Sequence, residues 1–348
     1  MARRLASISN SKTHAMKVTT VSKKQKGFTL IELLVAIVIS LVMTLAAFSA
    51  LMISRQGFTA VDSAAQLKDT ARFSIDLIQR LGAQTGYLSD RSNTYPAGST
   101  SLTAPPNVSG FNNALVDAAS PAASSIARGN ASLDGSDVLV LMYQPNEIYP
   151  NSGTTDRSMI NCAGNTIATV PVNNQDRIWS VLHVAVATDG EPSLYCAAGR
   201  TSAGSTASIN QPIIRGVESF QVLYGVDTVT AGIAPAASAA TPNVVNAYLR
   251  ADQMTVAGNT AATNANWKRV RSIRIGMVLR GPLGSSSVTS DKTTTYYPLG
   301  IGADSVSGAK GSALSAIADV GTIFTPGADT RLRQIVTFTI HLRNNQNV

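Results

Sequence analysis

From Phe28 to Ile53 the chain runs FTLIELLVAIVISLVMTLAAFSALMI, 26 residues in which Glu32 is the only charge. At 1.5 Å per residue this run predicts a helix of about 39 Å, enough to cross a hydrocarbon core about 30 Å thick. The helical period continues beyond it. Phe58, Val61, Ala65, Leu67, Ala71, Phe73, Ile75, Leu77, Ile78 and Leu81 recur at three- and four-residue spacing between polar residues, which predicts an amphipathic continuation. Gly82 and Gly86 mark its end, and Gly57 marks a bend or fray near the junction. Unbroken from Phe28 to Leu81, the helix would be about 80 Å long.

Beyond the helix the period changes from 3.6 to two. Asp137–Tyr143 (DVLVLMY) and Ile178–Ala187 (IWSVLHVAVA) are apolar runs of strand length. Gly216–Asp227 places Phe220, Val222, Tyr224 and Val226 on one face. Arg271–Arg280 sets Ile273, Ile275, Met277 and Leu279 against Ser272, Arg274 and Arg280. Leu332–Leu342 alternates Leu332, Val336, Phe338, Ile340 and Leu342 with Arg331, Arg333, Thr337, Thr339 and His341. Such alternation predicts a sheet with one covered face, and the amphipathic helix is its natural cover. The expected fold is therefore α+β: a long N-terminal helix, membrane half plus amphipathic half, packed on an antiparallel β-sheet head. Residues 89–133, 200–211, 228–266 and 281–330 are too long for turns and read as loop insertions.

Charge sharpens this picture. The formal net charge is +8, which by itself suggests a nucleic-acid or acidic-membrane partner. Seven of the 28 Lys+Arg (Arg3, Arg4, Lys12, Lys17, Lys23, Lys24 and Lys26) lie in residues 1–27, which hold no carboxylate; without them 21 Lys+Arg face 20 Asp+Glu. Cations ahead of a spanning helix keep that end in the cytoplasm, so everything after Arg55 is expected to be translocated. A cleaved signal peptide would have an apolar region of about 7 to 15 residues, shorter than this one. A plain anchor leaves Glu32 unexplained, since an intramembrane carboxylate costs about 2.5 to 3.5 kcal/mol.

The run Lys23-Lys24-Gln25-Lys26-Gly27-Phe28-Thr29-Leu30-Ile31-Glu32-Leu33-Leu34 resembles the prepilin motif of the type IV pilin and type II secretion pseudopilin superfamily. The resemblance implies cleavage after Gly27 by a prepilin peptidase, N-methylation of Phe28, and an assembly role for Glu32. It divides the chain into a leader (residues 1–27), a transmembrane and assembly helix (28–54), an amphipathic helix entering the head (55–82) and a translocated α+β head with insertions (83–348). Met16 is an alternative start that leaves a basic leader. After cleavage the Phe28 amine lies four residues from Glu32, one turn away on the same face, so a charge pair becomes possible within the helix. The family adds an intermolecular version, with a neighbouring subunit's amine. In the head, GSDVLVLMY, Cys162, Cys196, RGVESFQVLYGVD, WKRVRSIRIGMVLR and RLRQIVTFTIHLRN resemble, in order, the landmarks of PilW-type minor pilins.

That resemblance implies a minor pilin of the inner membrane, with its N-terminus cytoplasmic and its head periplasmic, that primes pilus assembly and then reaches the fibre or cell surface. Tip position, adhesion, twitching motility and DNA uptake are the roles it brings. Its partners would be the prepilin peptidase, other minor pilins and the major pilin through the helix, and the platform and motor proteins indirectly. A J-type pseudopilin of type II secretion is the nearest alternative, though usually shorter. A membrane-anchored receptor, with a ligand or DNA site in the long loops, is the alternative from another class.

Little in the sequence suggests catalysis, and neither a metal site nor a cofactor is expected. Cys162 and Cys196 lie 34 positions apart on the expected oxidising side, which favours a disulfide over two free buried thiols. His183 and His341 sit in strand-like alternation, where a histidine is more often structural than a base. Gly300-Ile301-Gly302 lacks the rest of a dinucleotide fingerprint, and Gly311-Ser312 lacks a phosphate-loop lysine. Asp134-Gly135-Ser136-Asp137 reads as a turn before a strand. Trp267, Lys268, Arg269, Arg271 and Arg274 form the one candidate nucleic-acid patch. Strand alternation divides those cations between two faces, which favours a solvated edge or structural ion pairs.

Overall fold

The computed structural model describes residues 27–89, 104–128, 135–203, 209–236, 242–286, 294–301, 319 and 321–345. The leader cations, Met16, Asp134, Gly302 and Gly311-Ser312 lie outside the described residues. The chain divides into two compact units, Met1–Arg55 and Gln56–Val348. Helix α1 (Leu30–Gln84) contributes to both.

Within the second unit α1 buries Ser63, Leu67, Ala71, Ser74, Ile78, Leu81 and Gly82, whose spacing of mostly three and four residues makes one stripe. The expected face is thereby corrected, because Phe58, Val61 and Phe73 are exposed. Phe73 follows Ala71 by two residues, about 200° around the helix, and cannot share its side. Each fully buried Leu or Ile on the stripe contributes about 1.5 to 3 kcal/mol. Its small residues allow close approach: a Cβ on Gly82 would lie 2.6 Å from Ile340 Cγ2. The helix ends at Gln84 rather than Leu81. There Thr85 Oγ1 donates to the Leu81 carbonyl at 2.6 Å, and the Asn344 amide donates to the Ala83 carbonyl at 3.1 Å. Carbonyls that the helix leaves without internal partners are satisfied in this way.

The strands are β1 (Val108–Phe111), β2 (Ala114–Val116), β3 (Ser125–Ala127), β4 (Val138–Tyr143), β5 (Ile178–Val186), β6 (Pro192–Arg200), β7 (Ile209–Arg215), β8 (Val217–Val226), β9 (Ala247–Leu249), β10 (Val270–Arg280) and β11 (Arg333–His341); helix α2 (Thr260–Trp267) precedes β10. They form a five-stranded sheet in the order β1-β4-β5-β6-β7, a four-stranded sheet in the order β11-β10-β8-β9, and the hairpin β2-β3. Every ladder is antiparallel. One continuous core draws on α1 and both larger sheets. A second cluster lies on the far side of the five-stranded sheet, where Val138, Val140, Met142, Trp179 and Val181 pack with Ala114 of β2. β4 is apolar at every position because its odd residues, Leu139 and Leu141, enter one cluster and its even residues the other.

The expectation of one covered face therefore fails for both sheets. On the four-stranded sheet, Phe220, Val222, Tyr224, Ile273, Ile275, Met277 and Ile340 enter the main core as the alternation predicts. The opposite face is covered as well: a Cβ on Gly276 would strike the Pro298 carbonyl, and Thr337 Oγ1 donates to that oxygen at 2.6 Å. Parts of the segments read as insertions are thus structural. Residues 104–128 supply β1, β2 and β3, residues 242–267 supply β9 and α2, and Tyr296 bridges Phe324.

Strands β6 and β7 carry no sequence signal strong enough to predict them. β6 is rich in small residues because a larger one would collide across the ladder, where Gly199 faces Trp179 and any Cβ would meet the indole. β7 contains Pro212, which is tolerated because the strand is an edge. Gly216, at φ 76°, turns the chain from β7 in one sheet into β8 in the other. Its N–H donates to the Pro192 carbonyl, and its own carbonyl accepts from Arg280 N–H, both at 2.8 Å.

Two polar devices join the sheets. Asp137, buried at the start of β4, donates its N–H to the Phe220 carbonyl at 2.8 Å; its carboxylate accepts from Val222 N–H at 2.8 Å and Asn113 N–H at 2.9 Å. Burial, reinforced by nearby Asp319, pushes its carboxyl well above the usual range, against the pull of those two N–H groups and Arg128. At the other end Arg280 bonds Glu191 and Glu218, while Arg333 bonds Glu218 and Asp329, at 2.6 to 3.0 Å. The Arg280 hydrogen bond is the chief reason that Glu191 titrates below its ordinary 4.5.

Two predictions follow from this packing. At Gly110 in β1 a Cβ would overlap the Tyr224 hydroxyl and lie 2.5 Å from the Val138 carbonyl oxygen. Gly110→Ala should cost about 1 to 3 kcal/mol in urea denaturation, whereas Gly327→Ala, with open space around it, should be near neutral. Because Glu191 has a lowered folded pKa, its contribution is present above about 4.5 and is lost as pH falls through the folded value. The urea midpoint should therefore fall less on acidification in Glu191→Gln than in the parent.

Candidate processing and assembly site

Gly27, Phe28 and Thr29 precede the first helical residue, Leu30, and are exposed. The Gly27–Phe28 peptide bond is thus outside the helix, with open space around Gly27. What starts the helix is a reciprocal cap. Thr29 N–H and Thr29 Oγ1 donate to Glu32 Oε2 at 2.9 and 3.0 Å, and Glu32 N–H donates to Thr29 Oγ1 at 3.3 Å. This is a capping box, in which a threonine and a glutamate three residues later satisfy each other's backbone donors. The role of Thr29 is absent from the sequence expectations, yet its signal, Thr-x-x-Glu ahead of an apolar run, is present in the residues.

The same segment satisfies its remaining polar side chains internally. Ser40, Thr44 and Ser49 hydroxyls donate to the carbonyls of Ile37, Leu41 and Ala46, each at 2.9 Å. A helix entering hydrocarbon needs its polar groups paired within itself, and only the Glu32 carboxylate breaks the apolar surface. By length and composition α1 is able to cross a membrane.

In the head, Cys162 and Cys196 form a disulfide with Cα atoms 5.7 Å apart. Both are buried, and Cys162 N–H donates to Ser180 Oγ of β5 at 3.0 Å, so the bond pins the loop before β5 onto β6. The candidate basic patch is not one exposed surface, because two of its four cations, Arg269 and Arg271, are buried while Lys268 and Arg274 are partly exposed. Arg271 is 4% exposed, lies 3.7 Å from buried Asp227, and donates to the carbonyls of Lys268 and Asn345. Arg269, also buried, donates to Thr228 Oγ1 at 2.8 Å. His183 is buried in β5 beside Tyr195, and that burial lowers its pKa to about 4, so it is neutral at ordinary pH. His341 ends β11 in the other sheet, so the two histidines do not converge.

Residues 22–48 match the prokaryotic N-terminal methylation motif. Residues 181–344 match the type IV pilus-assembly protein W family. Among solved structures, a type IV-like pilin from Thermus thermophilus is similar at 12% identity over 81% of this chain and 97% of that one, with a TM-score of 0.37. No curated protein matches the chain. With the capped apolar helix and the antiparallel head, the two family matches define the class: a type IV pilin carrying an N-terminal methylation motif. Within that class the two matched regions support a type IV pilus-assembly minor pilin of PilW type.

The disulfide closes a loop of 34 residues, which the chain-entropy relation makes worth about 3 to 4 kcal/mol. Reductant should lower the urea stability of the parent by that order and leave Cys162→Ser/Cys196→Ser, already weakened, unchanged.

Proposed function

We propose that this minor pilin is cut between Gly27 and Phe28 by prepilin peptidase, is N-methylated on Phe28, and acts in priming pilus assembly. The observation that carries the reading is the Gly27–Phe28 bond, exposed ahead of a capped, almost uncharged helix. A peptidase needs an unwound peptide at the membrane surface, and residues 27–29 supply one. The segment from Phe28 holds the protein in the inner membrane with its N-terminus cytoplasmic and its head on the translocated side, as the positive charges ahead of it favour.

Glu32 acts in subunit registry. The capping box holds its carboxylate on the first turn, one turn from the new Phe28 amine. An amine from the same or a neighbouring subunit can then replace the Thr29 donors. In an apolar surround a one-turn slip would leave both charges unpaired, a strongly unfavourable state. The helix thereby selects other minor pilins and the major pilin as neighbours. Chemistry is done to this chain rather than by it.

Mass spectrometry of the membrane-extracted protein provides the test. The expected product begins at Phe28 and carries one additional methyl group, and Gly27→Ala should leave the precursor uncut. A mature chain beginning at Met1, or at Ala50 as after signal-peptide cleavage, would overturn the reading. Deletion of the gene should remove surface fibres and leave enzyme export intact; the reverse outcome would assign the chain to a secretion apparatus.

A further inference from the structure

A cavity of about 500 Å³ opens in the head between β1 and α2. Its volume falls in the range of small-molecule sites. Both tryptophans of the chain, Trp179 and Trp267, line it, with Phe111, Pro105 and Pro106. The rings are held firmly: Trp179 is 1% exposed and sits across the ladder from Gly199, and Trp267 packs edge-on to Tyr224 with centroids 4.7 Å apart. The wall nearest β1 and the β2-β3 hairpin precedes the family match, which begins at residue 181. Nothing in the membrane helix or the processing motif accounts for this cavity.

Its lining chemistry narrows the occupant. Among the described residues no ionisable side chain lines the cavity, so an anion or cation would lose hydration without a counter-charge from them. The side chains of Ser109, Ser120, Thr255 and Asn264 also line it, and none of them hydrogen-bonds to another described residue. A purely apolar occupant would strand these groups. A hydroxyl or amide both donates and accepts, and the ligand that matches such groups beside aromatic and prolyl surfaces is uncharged, hydroxyl-rich and ring-shaped. We propose that this cavity is a binding site for a neutral saccharide of one or two rings.

The position of the two tryptophans makes the test direct, because both line the cavity. The detergent-solubilised full chain would be titrated separately with maltose, lactose and N,N′-diacetylchitobiose while tryptophan emission is followed. At least one disaccharide should produce a saturable change. Thr255→Val/Asn264→Ala, which removes no internal hydrogen bond among the described residues, should weaken that response at least tenfold with an unchanged urea midpoint. Three outcomes would overturn the proposal: no saturable response to any of the three sugars, an equal response in the double variant, or saturation by a proline-rich decapeptide alone.

Discussion

The head depends on a buried carboxylate at the point where two sheets meet. The upper part of β8 pairs with β9 only from Tyr224 to Val226, so its earlier edge would carry unpaired backbone groups into the core. Asp137 and Ser136 fill that gap: Asp137 bonds the Phe220 carbonyl and Val222 N–H, and Ser136 Oγ accepts from Phe220 N–H at 3.1 Å. Burial opposes the charge on Asp137, yet unpaired backbone groups at the same depth would be costly as well. Through this contact the five-stranded and four-stranded sheets share one core with the buried stripe of α1. Sequence reading placed Asp137 where a turn meets a strand but gave it no partner, because nothing local announces one about 85 residues away.

The arginines obey the same logic. Arg200 is bidentate to Asp176, and Arg280 and Arg333 share Glu218. Buried pairs of this kind add little net stability over an apolar replacement, but breaking one is costly, so they act chiefly to fix which segments meet. They also explain the charge. The surplus of cations lies in residues 1–27, and several arginines of the remaining chain, Arg200, Arg280 and Arg333 among them, are bound to internal carboxylates. Arg269 and Arg271 are buried as well, bonded to a threonine hydroxyl and to backbone carbonyls.

The amino-terminal segment follows another constraint. A helix in hydrocarbon must satisfy its polar groups from within, and Thr29, Ser40, Thr44 and Ser49 all do so. Glu32 too is satisfied within the helix, by its cap with Thr29. The exposed Phe58, Val61 and Phe73 show that α1 has apolar surface beyond what the head covers.

The sequence by itself determined the apolar run, its single carboxylate, the prepilin-like motif, and strands β4, β5, β8, β10 and β11 to within a residue or two, because each is written in contiguous residues with a clear period. Even the Thr29–Glu32 cap was legible, at a spacing of three. Tertiary structure alone decided the division into two sheets, the covered second faces, and strands β6 and β7. Periodicity reports which side of a strand is apolar but not what lies beyond it. Small residues such as Gly199 register as loop until the indole of Trp179 that requires them is in place. The pocket between β1 and α2 is likewise a product of chain segments far apart in sequence, which no local pattern brings together.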